Sequence, residues 1–158
     1  RDVEEYLKKH DLSYVEHQHL AAFNTKEVLV HMQTIPGVTC KNLFVKDEQG
    51  RRFILVLVPL HQRVDLKFLA RYLGVERLTF ANEEELWKYL QVKPGSVSPL
   101  CLMYDHEDKV EVVIDQELWD AKIVNIHPNI NTASIELTGE NFRLLLGTFP
   151  QKKRILVL

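Results

Sequence analysis

The chain has 158 residues, of which 46% are hydrophobic and 27% charged, and its formal net charge at pH 7 is −2. These values are typical of an ordinary globular domain with a core of its own, and the near-neutral charge excludes a bulk polyanion-binding protein. The longest apolar run, FILVLVPL, is too short to cross a bilayer.

The spacing of apolar residues and turn formers predicts helices and strands that alternate along the chain. In the first half these are a helix at 2–10, a strand at 13–17, a helix at 24–32, a β-hairpin over 41–59, a helix at 65–73 and a strand at 77–81. They continue with a helix at 82–90, strands at 100–105, 109–115, 122–127 and 132–137, a helix at 138–146, and either a last strand or a packed tail at 154–158. Such interleaving favours a mixed α+β fold of the α/β class, with a mixed central sheet flanked by helices. Because nothing resembles a linker, residues 1–158 are predicted to form a single domain.

Local signals support several of these elements. Asn82 is followed three residues later by Glu85, the pattern of a capping box, and Gly74 is expected to end the preceding helix. The apolar run in the second hairpin strand predicts burial on both faces. The segment KVEVVID alternates apolar and polar residues, so its strand is expected to be half exposed.

The start of the chain and its two cysteines bear on location. The opening RDVEEYLKKH is charged throughout, which predicts no signal peptide. Cys40 and Cys101 lie far apart and outside any CxxC pattern, so they are interpreted as reduced, buried thiols rather than catalytic ones. We therefore expect a cytoplasmic protein that does not associate with membranes.

Motifs for metal and nucleotide sites are weak or missing from the sequence. His17 and His19 form an HxH, but no third ligand follows at a usual spacing. There is no HExxH, GxSxG, Walker A or GxGxxG pattern. We expect neither a metal nor a cofactor, and His17 is interpreted as structural.

Three short segments carry the candidate chemistry. CKNLFVKD sets Lys41 and Asn42 where a strand begins, KPGSVSP combines a glycine with two prolines and two serines, and NIHPNINTAS sets His127 before a proline. Taken singly, each has an ordinary structural interpretation: a surface lysine, a helix-to-strand connection and a histidine in a turn.

Together the segments point to a family. KNLF, VDLK, LTFA, PGSVSP and HPNINTA occur in this order along nearly the whole chain. In this it resembles the YbaK-type aminoacyl-tRNA editing domains, and most closely the free-standing prolyl-tRNA deacylases, which remove alanine from tRNA(Pro). The resemblance implies the same mixed α/β fold, no cofactor, and hydrolysis of the ester that joins an amino acid to the terminal ribose of a mischarged tRNA.

The resemblance also implies roles for single residues. Lys41 matches the lysine that holds the terminal nucleotide, Asn42 matches a residue close to the adenosine or aminoacyl group, and His127 matches a histidine that lines the pocket. Residues 95–99 match a loop whose backbone amides approach the aminoacyl carbonyl, which makes Gly95 a catalytic candidate beside Lys41 and His127. The expected substrate contacts are Asn42, Ser96, Val97, Ser98 and Ile126.

Two features of the site stay open at this stage. Leu29, Ile126 and His127 are expected to form walls of the pocket. Relatives often carry methionine where this chain has Ile126, which leaves open whether alanine, cysteine or serine is the amino acid removed. The attacking water could be activated by His127 or by the vicinal ribose hydroxyl of the substrate, and the resemblance favours the latter. A catalytically silent module that binds tRNA or a synthetase is the alternative function.

The charge distribution suggests where a tRNA could bind. Residues 41–77 hold eight basic side chains against four acidic ones, whereas residues 105–120 hold seven acidic side chains and a single lysine. The basic stretch could contact the acceptor stem of mischarged tRNA(Pro), with prolyl-tRNA synthetase as a further partner, although both stretches could equally be solvated surface.

Overall fold

The structure of the chain is a computed structural model that describes residues 2–18, 36–128 and 133–158. The strands in chain order are β1 (Val15–Gln18), β2 (Val38–Asp47), β3 (Phe53–Pro59), β4 (Leu78–Phe80), β5 (Val110–Asp115), β6 (Ile123–Ile126), β7 (Ala133–Thr138) and β8 (Lys153–Leu156). The helices are α1 (Asp2–Lys9), α2 (Leu66–Leu73), α3 (Glu83–Leu90), a 3-10 helix (Pro99–Tyr104), α4 (Gln116–Asp120) and α5 (Gly139–Gly147).

The strands form one mixed sheet in the order β1-β7-β6-β2-β3-β5-β8, and β4 pairs with β2 outside this path. The pairs β2–β6, β3–β5 and β5–β8 are parallel, and the others are antiparallel. The mixed α/β architecture predicted from the sequence is confirmed. Strand β3 is buried along its whole length, as its apolar run on both faces predicts.

The central strands separate two hydrophobic cores. The larger core takes Cys40 and Phe44 from β2 and packs against α3, the 3-10 helix and α5. The smaller core takes Val45 from β2 and is covered by Leu69, Ala70 and Leu73 of α2. Since side chains alternate between the faces of a strand, even-numbered residues of β2 face the larger core and odd-numbered residues face α2.

The predicted caps are present. Asn82 and Glu85 form a capping box at the start of α3, Thr138 accepts a hydrogen bond from the Asn141 amide at the start of α5, and Gly74 ends α2 with φ +76°. The predicted helix at 24–32 lies outside the described residues.

Two predictions about single elements are wrong. Residues 100–105 are not a strand: Pro99–Tyr104 form a 3-10 helix, because Ser98 accepts the Leu100 amide as N-cap and Pro99 sets a helical φ at the first position. Strand β5 is not half exposed, since Glu111 alone is not buried. The strand lies between β3 and β8, and its polar positions are occupied by internal interactions.

No helix in the described part of the chain is long and apolar enough to cross a membrane.

Candidate active site

An opening in the sheet lies beside the first residues of β2. Along one edge β2 pairs continuously with β3. Along the other edge it pairs with β6 only at Val38 and Thr39, and with β4 only from Val45. Between these points no described strand covers residues 40–44, so the sheet has a gap where β6 ends and β2 continues. Crevices of this kind, where neighbouring strands part at a carboxyl end, are common ligand sites in α/β proteins.

Lys41 and His127 both follow the end of the β2–β6 ladder. Thr39 is paired with Asn125, the last pair of this parallel ladder, and Lys41 and His127 each come two residues later. Lys41 has an odd number on β2, so its side chain is directed to the face that α2 covers, whereas His127 lies just past the end of β6. Two of the predicted catalytic residues therefore flank the point where β2 and β6 stop pairing.

The Lys41 side chain is held by a residue that the sequence did not single out. Its Nζ donates to the backbone carbonyl of Gln62, which follows β3. The side-chain nitrogen of Gln62, Nε2, in turn donates to Asp115 Oδ1 at 3.3 Å and to the Leu158 carbonyl at 3.1 Å. Partial burial and the nearby charge of Arg63 lower the pKa of Lys41. A partly buried cation that also feels a second positive charge favours the binding of an anion.

The backbone of Asn42 faces the gap. The Thr39 carbonyl accepts from Leu60 on the β3 side, and the Phe44 carbonyl accepts from Ala81 on the β4 side. Because the polar groups of successive residues alternate between the two edges of a strand, the amide and carbonyl of Asn42 are directed into the gap. The Asn42 side chain lies on the larger-core face, with its Oδ1 3.5 Å from Cys40 Sγ. Ile126 is buried on the same face.

The loop of residues 93–99 approaches from the larger-core side. Ser96 donates its amide to the Lys93 carbonyl at 3.1 Å, and Gly95 has φ +88°. This is a β-turn with Pro94 and Gly95 at its centre, where a positive φ favours glycine. Val97 packs against the larger core. Loop and Lys41 thus lie on opposite faces of β2, and the gap is the opening that connects the two faces.

Some polar groups of the loop form hydrogen bonds within the protein, and others could donate to a substrate. Ser98 is fully buried, and its hydroxyl caps the 3-10 helix. The Ser96 amide is used within the turn. Within the described residues, the amides of Gly95 and Val97 donate no hydrogen bond, which leaves these two as candidate donors to a substrate.

Among the described residues, the two cysteines and His17 do not form a second site. Burial raises the pKa of both Cys40 and Cys101, the latter to about 12, so these thiols stay protonated at neutral pH. His17 Nε2 lies 3.0 Å from Glu136 Oε1 across β1 and β7. His19 and Leu29 fall outside the described residues, and in the part of the chain the structure covers no group of three His, Cys, Asp or Glu could hold a metal ion.

Residues 19–145 match the aminoacyl-tRNA editing domain family. The chain belongs to the aminoacyl-tRNA editing domain family. The matched segment of this editing domain includes Lys41, the loop at 93–99 and His127, so the residues around the gap all fall within it.

Curated relatives of the editing domain carry prolyl-tRNA names. It is 40% identical over 106 residues to the prolyl-tRNA editing protein ProX of Acetoanaerobium sticklandii, a match that covers 67% of this chain and 65%, less than two thirds, of that protein. It is 36% identical over 140 residues to the prolyl-tRNA synthetase associated domain-containing protein 1 of Danio rerio, with 87% of this chain and 76% of that protein covered.

A solved structure shares the fold of the editing domain. The crystal structure of a candidate trans-editing enzyme for prolyl tRNA synthetase superimposes with a TM-score of 0.72 at 22% identity, covering 99% of this chain and 94% of that one. At this identity the likeness concerns the fold alone.

Proposed function

We propose that this editing domain, over residues 1–158, is a trans-editing deacylase that hydrolyses the ester of mischarged tRNA(Pro), with alanine as the amino acid removed. The observation that supports the proposal is the gap beside β2, where Lys41 and His127 follow the end of the β2–β6 ladder in a chain of the editing family. The mischarged tRNA is the partner that this site would receive, and prolyl-tRNA synthetase is the enzyme that would supply it. The cytoplasmic location stays a prediction.

The terminal nucleotide would be held on the α2 face. Partial burial and the charge of Arg63 both disfavour the charged form of the Lys41 ammonium group and lower its pKa. A phosphate oxygen bound there would relieve the repulsion between the two cations and accept a charge-assisted hydrogen bond. The Asn42 amide and carbonyl offer one donor and one acceptor to the terminal ribose or base as it enters the gap.

The ester would pass through the gap toward the loop. Hydrolysis develops negative charge on the carbonyl oxygen, and the unused amides of Gly95 and Val97 are donors of the kind that stabilises it. One preorganised donor of this type lowers the activation barrier by about 2.7–4 kcal/mol. Pro94 and the Ser96 hydrogen bond fix the turn before substrate arrives, so little reorganisation is needed.

The proton transfer is assigned to the substrate. No described carboxylate hydrogen-bonds to Lys41, and the vicinal ribose hydroxyl stands next to the ester in any bound pose. We propose that this hydroxyl and a water molecule carry the proton, while His127 positions the aminoacyl end. Replacement of His127 by glutamine is then expected to weaken substrate binding and to leave the pH dependence of kcat nearly unchanged.

Selection of alanine follows from size. A synthetase pocket shaped for proline cannot exclude a smaller side chain, because a missing methylene costs only about 1–3 kcal/mol. A second, tighter site removes the error. Buried Ile126 at the end of β6 is the wall that would reject the proline ring, and it would leave room for alanine, with cysteine or serine as competitors.

The test is a panel of tRNA(Pro) charged with alanine, cysteine, serine or proline. We expect release of alanine and retention of proline. Lys41→Ala should lower kcat/KM about 100-fold, equivalent to about 2.7 kcal/mol, while the exposed Lys8→Ala on α1 serves as a matched control. Intact activity in Lys41→Ala would refute the site, and a native protein that releases no amino acid from any charged tRNA would identify a silent binding module.

A further inference from the structure

A hollow separate from the gap lies between α1, the 3-10 helix and the turn that precedes β8. It has a volume of about 480 Å³, and its lining includes Tyr6, Met103 and Phe149, one from each of these three parts of the chain. Neither Lys41 nor His127 lines it, so the hollow is not part of the proposed deacylase site. Clefts of about 300–1,000 Å³ commonly hold small molecules.

One part of the lining is apolar and held in place by contacts within the protein. The rings of Tyr6 and Phe149 stack with their centroids 5.2 Å apart and 15° between their planes. The Tyr6 hydroxyl is hydrogen-bonded to Thr148 Oγ1 at 2.6 Å, and Leu102 beside them is buried. A ligand would therefore meet a preformed surface that suits a hydrocarbon body.

Gln151 brings an unused hydrogen-bond acceptor to the hollow. It lines the hollow and is only 2% exposed. Its Nε2 donates to the Leu102 carbonyl at 3.1 Å and to the carbonyl and Oδ2 of Asp105, both at 3.2 Å. These three acceptors fix the orientation of the amide, because an exchange of its nitrogen and oxygen would set one oxygen against three others.

The oxygen of the same amide, Gln151 Oε1, accepts no hydrogen bond from any described residue. A buried acceptor without a donor is unfavourable, since it has lost its hydrogen bonds to water. A ligand with an N–H or O–H group would therefore gain binding energy at this oxygen.

The charge around the hollow favours a cationic donor. Asp2, Asp105 and Asp108 line it together with His106, and no lysine or arginine is among the described residues that do. Asp105 is buried, and its two oxygens accept from backbone amides and from Gln151. Asp108 is exposed and forms no ion pair within the described residues. Negative charge on several sides attracts a cation and repels an anion.

We propose that this hollow binds a small protonated amine with an apolar body, an alkylammonium or arylalkylammonium ion. The ammonium group donates to Gln151 Oε1 within the field of the aspartates, and the hydrocarbon part packs on the rings of Tyr6 and Phe149. The volume of the hollow exceeds that of one lysine side chain, so the ligand is a free amine and not a side chain of a protein partner.

The experiment titrates the full 158-residue chain, isotope-labelled for NMR, with n-butylamine at neutral pH. n-Butanol is the neutral probe of the same shape. We expect a millimolar dissociation constant for the amine, with the largest shifts at the Gln151 side-chain amide and in the 3-10 helix, and about tenfold weaker binding of the alcohol. Neither probe contains an ester, so the result does not depend on whether the protein deacylates tRNA.

The first variant, Gln151→Met, removes Oε1 with little change in side-chain length. It should weaken binding of butylamine about tenfold or more. The substitution also removes the hydrogen bond to Asp105, so thermal unfolding verifies that the variant is folded.

The second variant, Asp108→Asn, tests the charge at an exposed position that does not support the fold through its carboxylate. Asp108 has φ +55°, a conformation that asparagine tolerates. We expect butylamine to bind about three- to fivefold more weakly and butanol to bind as before. The matched control is Glu107→Gln, which removes the same charge from an exposed neighbour that does not line the hollow and should change the amine affinity by less than about twofold.

Four results would overturn the proposal. If butanol binds as tightly as butylamine, the hollow does not select a cation, and a water molecule suffices for the Gln151 oxygen. If folded Gln151→Met binds butylamine like the native protein, Oε1 is not the acceptor. If Asp108→Asn and Glu107→Gln weaken binding equally, only the net charge attracts the amine. If a lysine with both backbone ends capped binds about ten times more tightly than butylamine, the hollow receives a partner's side chain instead of a free amine.

Discussion

Lys41 is one of two adjacent residues of β2 whose side chains leave on opposite faces. Lys41 points to the α2 side and Asn42 to the larger core, and they contribute different chemistry to the same gap: a charge from one face, and backbone polar groups within the plane of the sheet. A sequence motif of adjacent residues such as KN is therefore not a motif of adjacent side chains. Its function depends on a gap that allows substrate to reach both.

Gln62 is expected to act on the reaction through Lys41. Its side chain ties the loop after β3 to Asp115 and Leu158, while its carbonyl accepts from the Lys41 ammonium. Gln62→Ala should loosen that carbonyl and raise KM for Ala-tRNA(Pro) several-fold with little change in kcat, because Lys41 is proposed to hold a part of the substrate that does not react.

The control for Gln62 is Gln116→Ala, which removes an amide that bonds only Asp120 at the surface. A purely structural role for Gln62 would lower the melting temperature and kcat together without a selective rise in KM. Equal KM values for Gln62→Ala and native protein would rule out the positioning role.

Elements whose ends are set by local chemistry could be predicted from the sequence. The capping box of Asn82 and Glu85, the Thr138 cap and the Gly74 terminus depend on neighbours within four residues, and all are present. The 3-10 helix was missed because a short apolar run does not distinguish a strand from a buried helical turn. The feature that distinguishes the two, Ser98 as N-cap followed by Pro99 at the first helical position, is local and visible in the sequence.

The site was predicted less completely than the elements. Lys41, His127 and Gly95 came from motifs, but the placement of Lys41 and His127 at the end of the β2–β6 ladder depends on a long-range pairing that local patterns do not encode. The supporting role of Gln62 carries no sequence signal at all, since a backbone carbonyl holds Lys41. The family resemblance predicts a substrate contact for Ser98, and in the structure its hydroxyl accepts from the Leu100 amide at the start of the 3-10 helix.

Glu111 joins three strands at the far end of the sheet. Arg52, next to β3, donates to both carboxylate oxygens of Glu111 at 2.7 and 2.8 Å, and Arg154 of β8 donates at 2.8 Å. The hydrogen bonds from Arg52, with that from Arg154, lower the pKa of Glu111 from 4.5 to about 2. This stabilisation is fully present above pH 4.5 and is lost as the pH falls through about 2.

Glu111→Gln should therefore lower the free energy of unfolding at pH 7 by about 2–3 kcal/mol, measured by urea denaturation. The variant should also lose less stability than the native protein between pH 5 and pH 2, because its glutamine does not titrate. Glu117→Gln, an exposed neighbour on α4, is the control and should change stability by at most about 0.5 kcal/mol. The same acid dependence in native and Glu111→Gln proteins would contradict the assignment.

At the scale of the whole molecule, the fold separates the tasks of the site. The larger core fixes the loop with Gly95, the smaller core fixes α2 with its cations, and β2 lies between them as the strand that both cores share. The gap exists because β6 stops pairing with β2 after Thr39 while β3 continues to hold β2 in place. Any change that shifts β6 against β2 is expected to damage the site without touching a functional side chain.

Gly37 is the position where this expectation can be tested. It precedes β2, has φ +94°, and a Cβ there would lie 2.5 Å from Ile123 Cγ2 and 2.7 Å from the Ile123 carbonyl oxygen. Gly37→Ala must push away the first residue of β6, so it should cost about 2–4 kcal/mol of stability and reduce deacylation well below the melting temperature. Gly50→Ala is the matched control, because Gly50 also has a positive φ of +70° but nothing within 4 Å. Gly50→Ala should cost only the backbone strain, about 1–2 kcal/mol of the free energy of unfolding, and leave deacylation unchanged. If the two variants lose the same free energy of unfolding in urea and the same deacylation activity, the close approach of β6 to β2 on which the gap depends is contradicted.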